Sequence, residues 1–205
     1  MTESPIPSCV AFDGPRCVAS GDLFQVARAV KDALDQGAPN SILIFNDTTG
    51  EPIEIDFRGA ADEVLARLKS AFAPHPAPEP LPSEPRGPGR PKLGVVAREV
   101  TLFPRHWAWL NDQPGGASVA LRKLVEEARH LHAHRDAIRK ARESAHVFLS
   151  ALAGNLPGYE EATRALFAGD ASRFSEQIEP WPDDIRTHSL RIAANAFPPL
   201  PRSER

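Results

Sequence analysis

His130 and His134, in the stretch HLHAHR, stand four residues apart. On a helix that spacing puts two imidazoles on one face, where they could offer two ligands to a metal ion. His132 falls elsewhere on such a helix, and no Glu or further His at suitable spacing completes the set. The stretch therefore reads as solvated histidines on a basic helix, and no metal is expected. The acidic pairs Glu160-Glu161 and Asp183-Asp184 lie at helix starts, where attraction to the helix dipole already accounts for them. GGASV lacks the second glycine of a nucleophile elbow, and no glycine-rich lysine loop is present to cradle a phosphate. No catalytic residue and no cofactor is assigned.

Charge is the more informative chemistry. The chain has 205 residues and a formal net charge of −3. Residues 86–142 nevertheless carry twelve Lys and Arg against five Asp and Glu. Acidic residues outnumber basic ones by eleven to six over 1–72 and by nine to six over 143–205. A basic middle between acidic ends implies a polyanionic partner, or else acidic flanks that pack beside the middle and cancel its field. The side chains that could meet such a partner are Arg90 and Lys92 on an arm, Arg98 on a strand, and Arg122 and Lys123 on a helix that Ser118 opens. Trp107, Trp109 and Trp181 could stack on bases, although at helical spacing beside prolines they also suit a core.

The elements that must position these residues follow from pattern. SCVAF (8–12) and RCVA (16–19) read as a hairpin around DGPR. Ser20 is the expected N-cap of a helix carrying Leu23, Val26, Ala27, Val30 and Leu34, with Asp22 in its first turn and Gly37 closing it. SILIF, the turn NDTTG and the alternating PIEIDF predict two more strands, and Ala61, Val64, Leu65, Leu68 and Phe72 predict a second helix. The order ββαββα over 1–72 gives an α+β module, an antiparallel sheet with helices on one face. Residues 73–94 form a proline-rich linker, with proline at 74, 76, 78, 80, 82, 85, 88 and 91 and the basic GRPK at its end. A PxxP-type ligand for a groove-binding module could lie within it.

Beyond the linker, GVVAREVTLF predicts a strand and Pro104 the first position of a short helix. PGG breaks that helix, and Ser118 caps a long one through Leu121, Leu124, Val125, Ala128, Leu131, Ile138, Ala145, Leu149 and Leu152. Arg135 and Arg142 interrupt its seam, so a coiled-coil-like partner or a break near HLHAHR is expected. Residues 95–135 thus form one unit. Residues 136–200 form a helical bundle of the long helix's end and three shorter helices, the last after Pro180-Trp181-Pro182. The expected fold is α+β at the N-terminus and mostly α at the C-terminus.

FPRHWAWL followed by GGASVALRKLV resembles the ribbon-helix-helix family of DNA-binding proteins over about residues 95–130. The resemblance implies an obligatory homodimer whose strands pair into a ribbon, with a DNA phosphate held at the Gly116–Val119 helix start. It also implies strand residues facing the major groove. With Phe103 turned to the core, Arg98, Val100 and Leu102 face outward; in the other register Glu99, Thr101 and Phe103 do. GRPK resembles the core of the AT-hook, which lies in an A·T-rich minor groove, with Arg90 and Lys92 well placed and Pro88 standing before Gly89 where that motif has arginine. A solvated linker end is the other reading. Over nearly its full length the chain is similar to a family of uncharacterised bacterial proteins defined only as a domain of unknown function. That similarity runs from AFDGPRCVASG through GRPKLGVVAREVTLFPRHWAWLNDQPGGASVALRKLVEEA to GYEEATRALFAGDASRFSEQIEPWPDDIRTHSLRIA.

The expectation is a non-enzymatic, dimeric nucleic-acid-binding or regulatory protein with double-stranded DNA as partner. The alternative is a protein-protein adaptor docking an acidic partner, and an enzyme stands third. Two cysteines that do not face each other across the hairpin imply no disulfide framework. MTESPIPSCV has no basic n-region or apolar core, and no apolar run reaches the roughly 20 residues needed to span a bilayer. A cytoplasmic protein without membrane attachment is expected.

Overall fold

The computed structural model describes residues 6–72, 96 and 98–197. The proline-rich segment and the GRPK motif lie outside them. The chain is α+β, and the described residues fall into two compact units. One comprises the described residues up to 72 together with those from His134 onward; the other comprises those from 96 to 133.

In the first unit β1 (Ser8–Asp13) is the middle strand of an antiparallel sheet, between β2 (Arg16–Asp22) and β3 (Ile42–Asn46). The hairpin forms where expected, with Phe12 opposite Cys17 and Cys9 opposite Gly21, and both thiols are free. Asp22, rather than Ser20, caps α1 (Leu23–Asp35), its carboxylate accepting from the amides of Phe24 at 2.9 Å and Gln25 at 3.0 Å. Ser20 belongs instead to β2, which runs three residues further than its apolar pattern. Gly37 ends α1 as expected. At φ +83 it lets its own amide reach the Leu34 carbonyl and that of Ala38 reach Ala33.

The predicted fourth strand does not join the ladder. Phe45 and Pro52 make a single bridge, flanked by Asn46 N–H to Glu51 O (2.9 Å) and Ile53 N–H to Ile44 O (2.7 Å). Pro52 has no amide to continue the pairing. The alternation survives without the ladder, since Ile53, Ile55 and Phe57 are half-buried against α1 and α2 (Ala61–Phe72) while their neighbours are exposed.

Helices cover both faces of the sheet, where the sequence predicted one. Cys9, Ala11 and Ile44 face α1 and α2, packing on Leu23, Val26, Ala27, Val30, Val64 and Leu68. Val10, Phe12 and Phe45 face the other way, into a core made with Phe148 and Leu149 of the long α4 (Gly116–Leu152) and with the C-terminal helices. The reason is visible in Cys9-Val10-Ala11-Phe12, an unbroken apolar run whose alternate residues enter opposite cores, as in any strand buried on both sides. Residues 1–72 and the C-terminal helices thereby share one core, although the linker separates them in sequence.

The C-terminal part of this unit comprises α5 (Tyr159–Ala168), α6 (Ala171–Ile178) and α7 (Asp183–Ile192). Trp181 at the proline corner is buried, its indole donating to the Pro157 carbonyl at 2.7 Å. Arg142, which interrupts the apolar seam of α4, donates to the carbonyls of Ala196 and Phe167, both at 2.9 Å. It ties α4 to the ends of α5 and the chain's last described turn.

In the second unit, residues 98–103 adopt no regular structure and no strand forms among the described residues. A lone strand leaves backbone donors and acceptors unpaired along both edges, so one chain cannot hold it. α3 (Pro104–Asn111) starts on Pro104 as expected, and Gly115 and Gly116 turn the chain at φ +88 and +74. α4 begins at Gly116, so Ser118 sits inside its first turn rather than capping it. The helix then continues through HLHAHR without the break the sequence allowed.

Candidate functional site

The residues expected to meet nucleic acid are placed as follows. Arg90 and Lys92 lie outside the described residues. Arg98 precedes α3 and is exposed; Ser118, Arg122 and Lys123 are exposed along the first turns of α4. Arg98, Arg122 and Lys123 make no ion pair among the described residues. Further along, Glu126 receives Arg129 at 2.8 Å and His130 at 3.1 Å, so that part of the helix neutralises itself. His130 therefore has a carboxylate neighbour, and no group of three or more His, Cys, Asp or Glu placed to hold a metal occurs among the described residues.

Around these side chains the second unit is apolar and uncovered. Between 96 and 133 the described apolar residues that are buried are Leu110 and Ala120. Val100 is 52% exposed, Phe103 60%, Trp109 51%, Val125 56% and Leu131 75%. Phe103, expected to face a core, is instead covered in part by the Arg105 guanidinium, 4.6 Å from its ring centre. Trp107 and Trp109, unlike Trp181, lie at the surface.

The first unit holds a second constellation, absent from the sequence-based reading. Ser8, Val10 and Phe12 alternate along β1 and so share one face of the sheet. Asp184, Thr187, His188 and Arg191 recur at i, i+3, i+4 and i+7 along α7 and share one face of that helix. The two faces, with Cys17, Ser20 and Gly21 of β2 and Asp47 of the turn after β3, line a cleft of about 460 Å³. One Arg191 nitrogen, Nη2, donates to Asp47 Oδ1 at 2.7 Å and lies 2.8 Å from His188 Nδ1. Ser8 Oγ donates to the other Asp47 oxygen at 2.7 Å. Asp184 reaches across to β2, accepting the Cys17 amide at 2.8 Å.

The electrostatics follow from this geometry. Burial alone would raise the Asp47 carboxyl, but the hydrogen bonds from Arg191 and Ser8 and the arginine charge outweigh it and hold it below the usual carboxylate range. Burial, then the Arg191 charge, pushes His188 down to about 4, against a weaker opposing pull from Asp47. Burial, reinforced by the nearby Asp184 carboxylate, raises the Cys17 thiol, which makes it a neutral lining group rather than a nucleophile. Sequence reading explained Asp183-Asp184 as helix-start charges and passed over His188 and Arg191. The periodicity of α7 was legible; the pairing of that face with the turn residue Asp47, 144 positions from Arg191, was not.

Among the described residues no helix is long and apolar enough to cross a membrane. No curated protein and no solved structure matches the chain. A family model does match it over residues 8–193, from the first strand to the end of the last helix. The chain belongs to that bacterial family, described as "Uncharacterized protein conserved in bacteria (DUF2239)".

Proposed function

We propose that the protein is a non-enzymatic regulatory protein that binds nucleic acid as a dimer through residues 90–123. The observation that carries this reading is the near absence of a private core between 96 and 133. Leu110 and Ala120 are buried there, while eight large apolar residues from Val96 to Leu131 are exposed. A helix pair with so little buried apolar surface gains too little from folding to stay ordered alone. A second copy of the same segment supplies what is missing. It pairs residues 98–103 into a two-stranded ribbon whose inner face takes Phe103, and it covers the Leu121–Leu131 stripe. Gly116 N–H already donates to the Gln113 carbonyl at 2.9 Å; Arg98, Arg122 and Lys123 then lie around the next amides of the first turn of α4, which suit a phosphate. Arg90 and Lys92 extend the same positive region toward a groove.

Light scattering on the full chain, with and without duplex DNA, tests the reading directly. The expected mass is that of two chains, rising further with duplex. Affinity should fall steeply with salt, and Arg122→Ala with Lys123→Ala should flatten the log-log salt slope by about two, one per lost phosphate contact. A monomer at high concentration that leaves DNA untouched in dilute buffer overturns it. A dimer that ignores DNA yet holds an acidic protein would favour the adaptor reading.

A further inference from the structure

We infer that the second copy lies along α4 in parallel and in register, the two helices packed as a short coiled coil through Leu121, Leu124, Ala128 and Leu131. This pairing rests on the dimer proposed above and adds its direction, its register and the point where the contact stops.

The seam follows from spacing. From Leu121 to Leu152 the helix steps alternately by three and four residues through apolar side chains, interrupted at Arg135 and Arg142. Those steps are the a and d positions of a heptad repeat. The two ends of the stripe are covered differently. Ala145 and Leu149 are fully buried in the first unit's own core, and Leu152 packs against it. Leu124 and Leu131 are 43% and 75% exposed, and Ala128 between them is exposed as well. Arg122, Glu126 and Arg129 stand on the opposite side of the helix, as expected where one face meets a partner and the other meets water.

The exposed surface is of the size a second copy would cover. Eight large apolar side chains are exposed from Val96 to Leu131. Whole aromatic side chains bury about 150–250 Å² each, so these exposed fractions come to on the order of 800 Å², about what one partner contributes to a stable complex. In a parallel pair in register, each a or d residue meets its own equivalent, so the stripe is its own complement and one sequence supplies both sides.

Two observations fix the direction. With the first turns of both α4 helices against one duplex, the helices must run away from it in the same sense. An antiparallel pair that kept the leucines together would set Leu121 beside the second copy's Leu131. It would also bring the two Glu127 carboxylates to the same flank, which a parallel pair avoids. Arg135 marks the limit. It holds the next a position, where two arginines would meet, so the contact closes at Leu131.

Disulfide trapping in the full-length protein tests this arrangement, because a disulfide requires Cβ atoms within about 4.5 Å of each other. Leu124→Cys and Leu131→Cys occupy d positions, which face their equivalents in a parallel pair in register. Glu126→Cys lies on the far side of the helix. All three positions are exposed in the single chain, so the substitutions leave its folding intact. The parent, with Cys9 buried and Cys17 half-buried, sets the background. Under mild oxidation, Leu124→Cys and Leu131→Cys should each convert most of the protein to a covalent dimer, and Glu126→Cys should stay at the parent's level. A Glu126→Cys cross-link as complete as the other two overturns the seam. So does a cross-link that forms between Leu121→Cys and Leu131→Cys chains only when the two are mixed. A protein that scatters as a dimer and binds duplex, yet cross-links at neither 124 nor 131, overturns the seam and leaves the ribbon dimer standing. A monomer overturns both.

Discussion

His188 lies between the rings of Phe12 and Phe148, whose centres are 5.7 and 4.3 Å from its own. Nδ1 accepts from Arg191, so the neutral ring carries its proton on Nε2, a buried position with no partner among the described residues. An unsatisfied buried donor costs about 1–3 kcal/mol, a cost this fold bears while the ring orients Arg191. The ring's low folded-state pKa also sets a pH dependence. An unfolded chain takes up the histidine proton near pH 6.5, whereas the folded protein resists doing so until about 4. The stabilising contribution is therefore complete above pH 6.5 and is lost progressively as pH falls toward 4. Its size is on the order of 3 kcal/mol. The depressed Asp47 carboxyl adds a second loss at still lower pH, in the same direction. Urea denaturation of His188→Phe at pH 7 and pH 4.5 should show a smaller difference in stability than the parent protein shows. An unchanged difference would mean that the acid sensitivity resides elsewhere.

At the scale of elements, close approach rather than propensity decides where α4 can lie. Gly50 ends the turn after β3 at φ +69, and a side chain there would collide with the Ser144 carbonyl of α4 and press on Ile192. Only glycine permits both the left-handed conformation and the contact. Gly50→Ala should lower stability by more than about 2 kcal/mol, since strain at that φ and steric overlap act together. Chemical denaturation measures the effect, and Gly37→Ala is a useful contrast because nothing lies within 4 Å of its added carbon. That control should cost only the φ strain. The sequence marked Gly50 as a turn residue and could not mark it as a packing residue. It likewise read Arg142 as a fault in an apolar seam, because the Ala196 and Phe167 carbonyls it serves come from 54 and 25 positions away.

For the whole molecule, the two ends of the chain form a single folding unit. Val10, Phe12 and Phe45 from the N-terminal segment and Phe148, Phe174, Ile178 and Trp181 from the C-terminal one belong to the same buried cluster. Residues 1–72 expressed alone would expose one complete face of the sheet to water and should not fold to a monomer with dispersed amide resonances. Mixing that fragment with residues 134–205 should restore the dispersion. A well-folded 1–72 fragment would show that the second face contributes little. The segment from 96 to 133 poses the opposite problem: Leu110 and Ala120 are its buried apolar residues among those described, and eight large apolar side chains are exposed.

The sequence by itself determined the local features: the hairpin, the glycine that ends α1, the proline that starts α3, the long α4 and the three closing helices. Each of these depends on residues within a few positions of one another, whose conformational preferences are written in the chain. Membership of the bacterial family was also legible, because the similarity is carried by the residues themselves. Tertiary structure alone decided which sheet faces are covered, that PIEIDF keeps its alternation without joining the ladder, and that Asp47, His188 and Arg191 converge. The first and last of those outcomes depend on surfaces meeting across more than a hundred positions, and the second on packing against helices outside the segment's own pattern; burial free energy there outweighs anything a local pattern can specify.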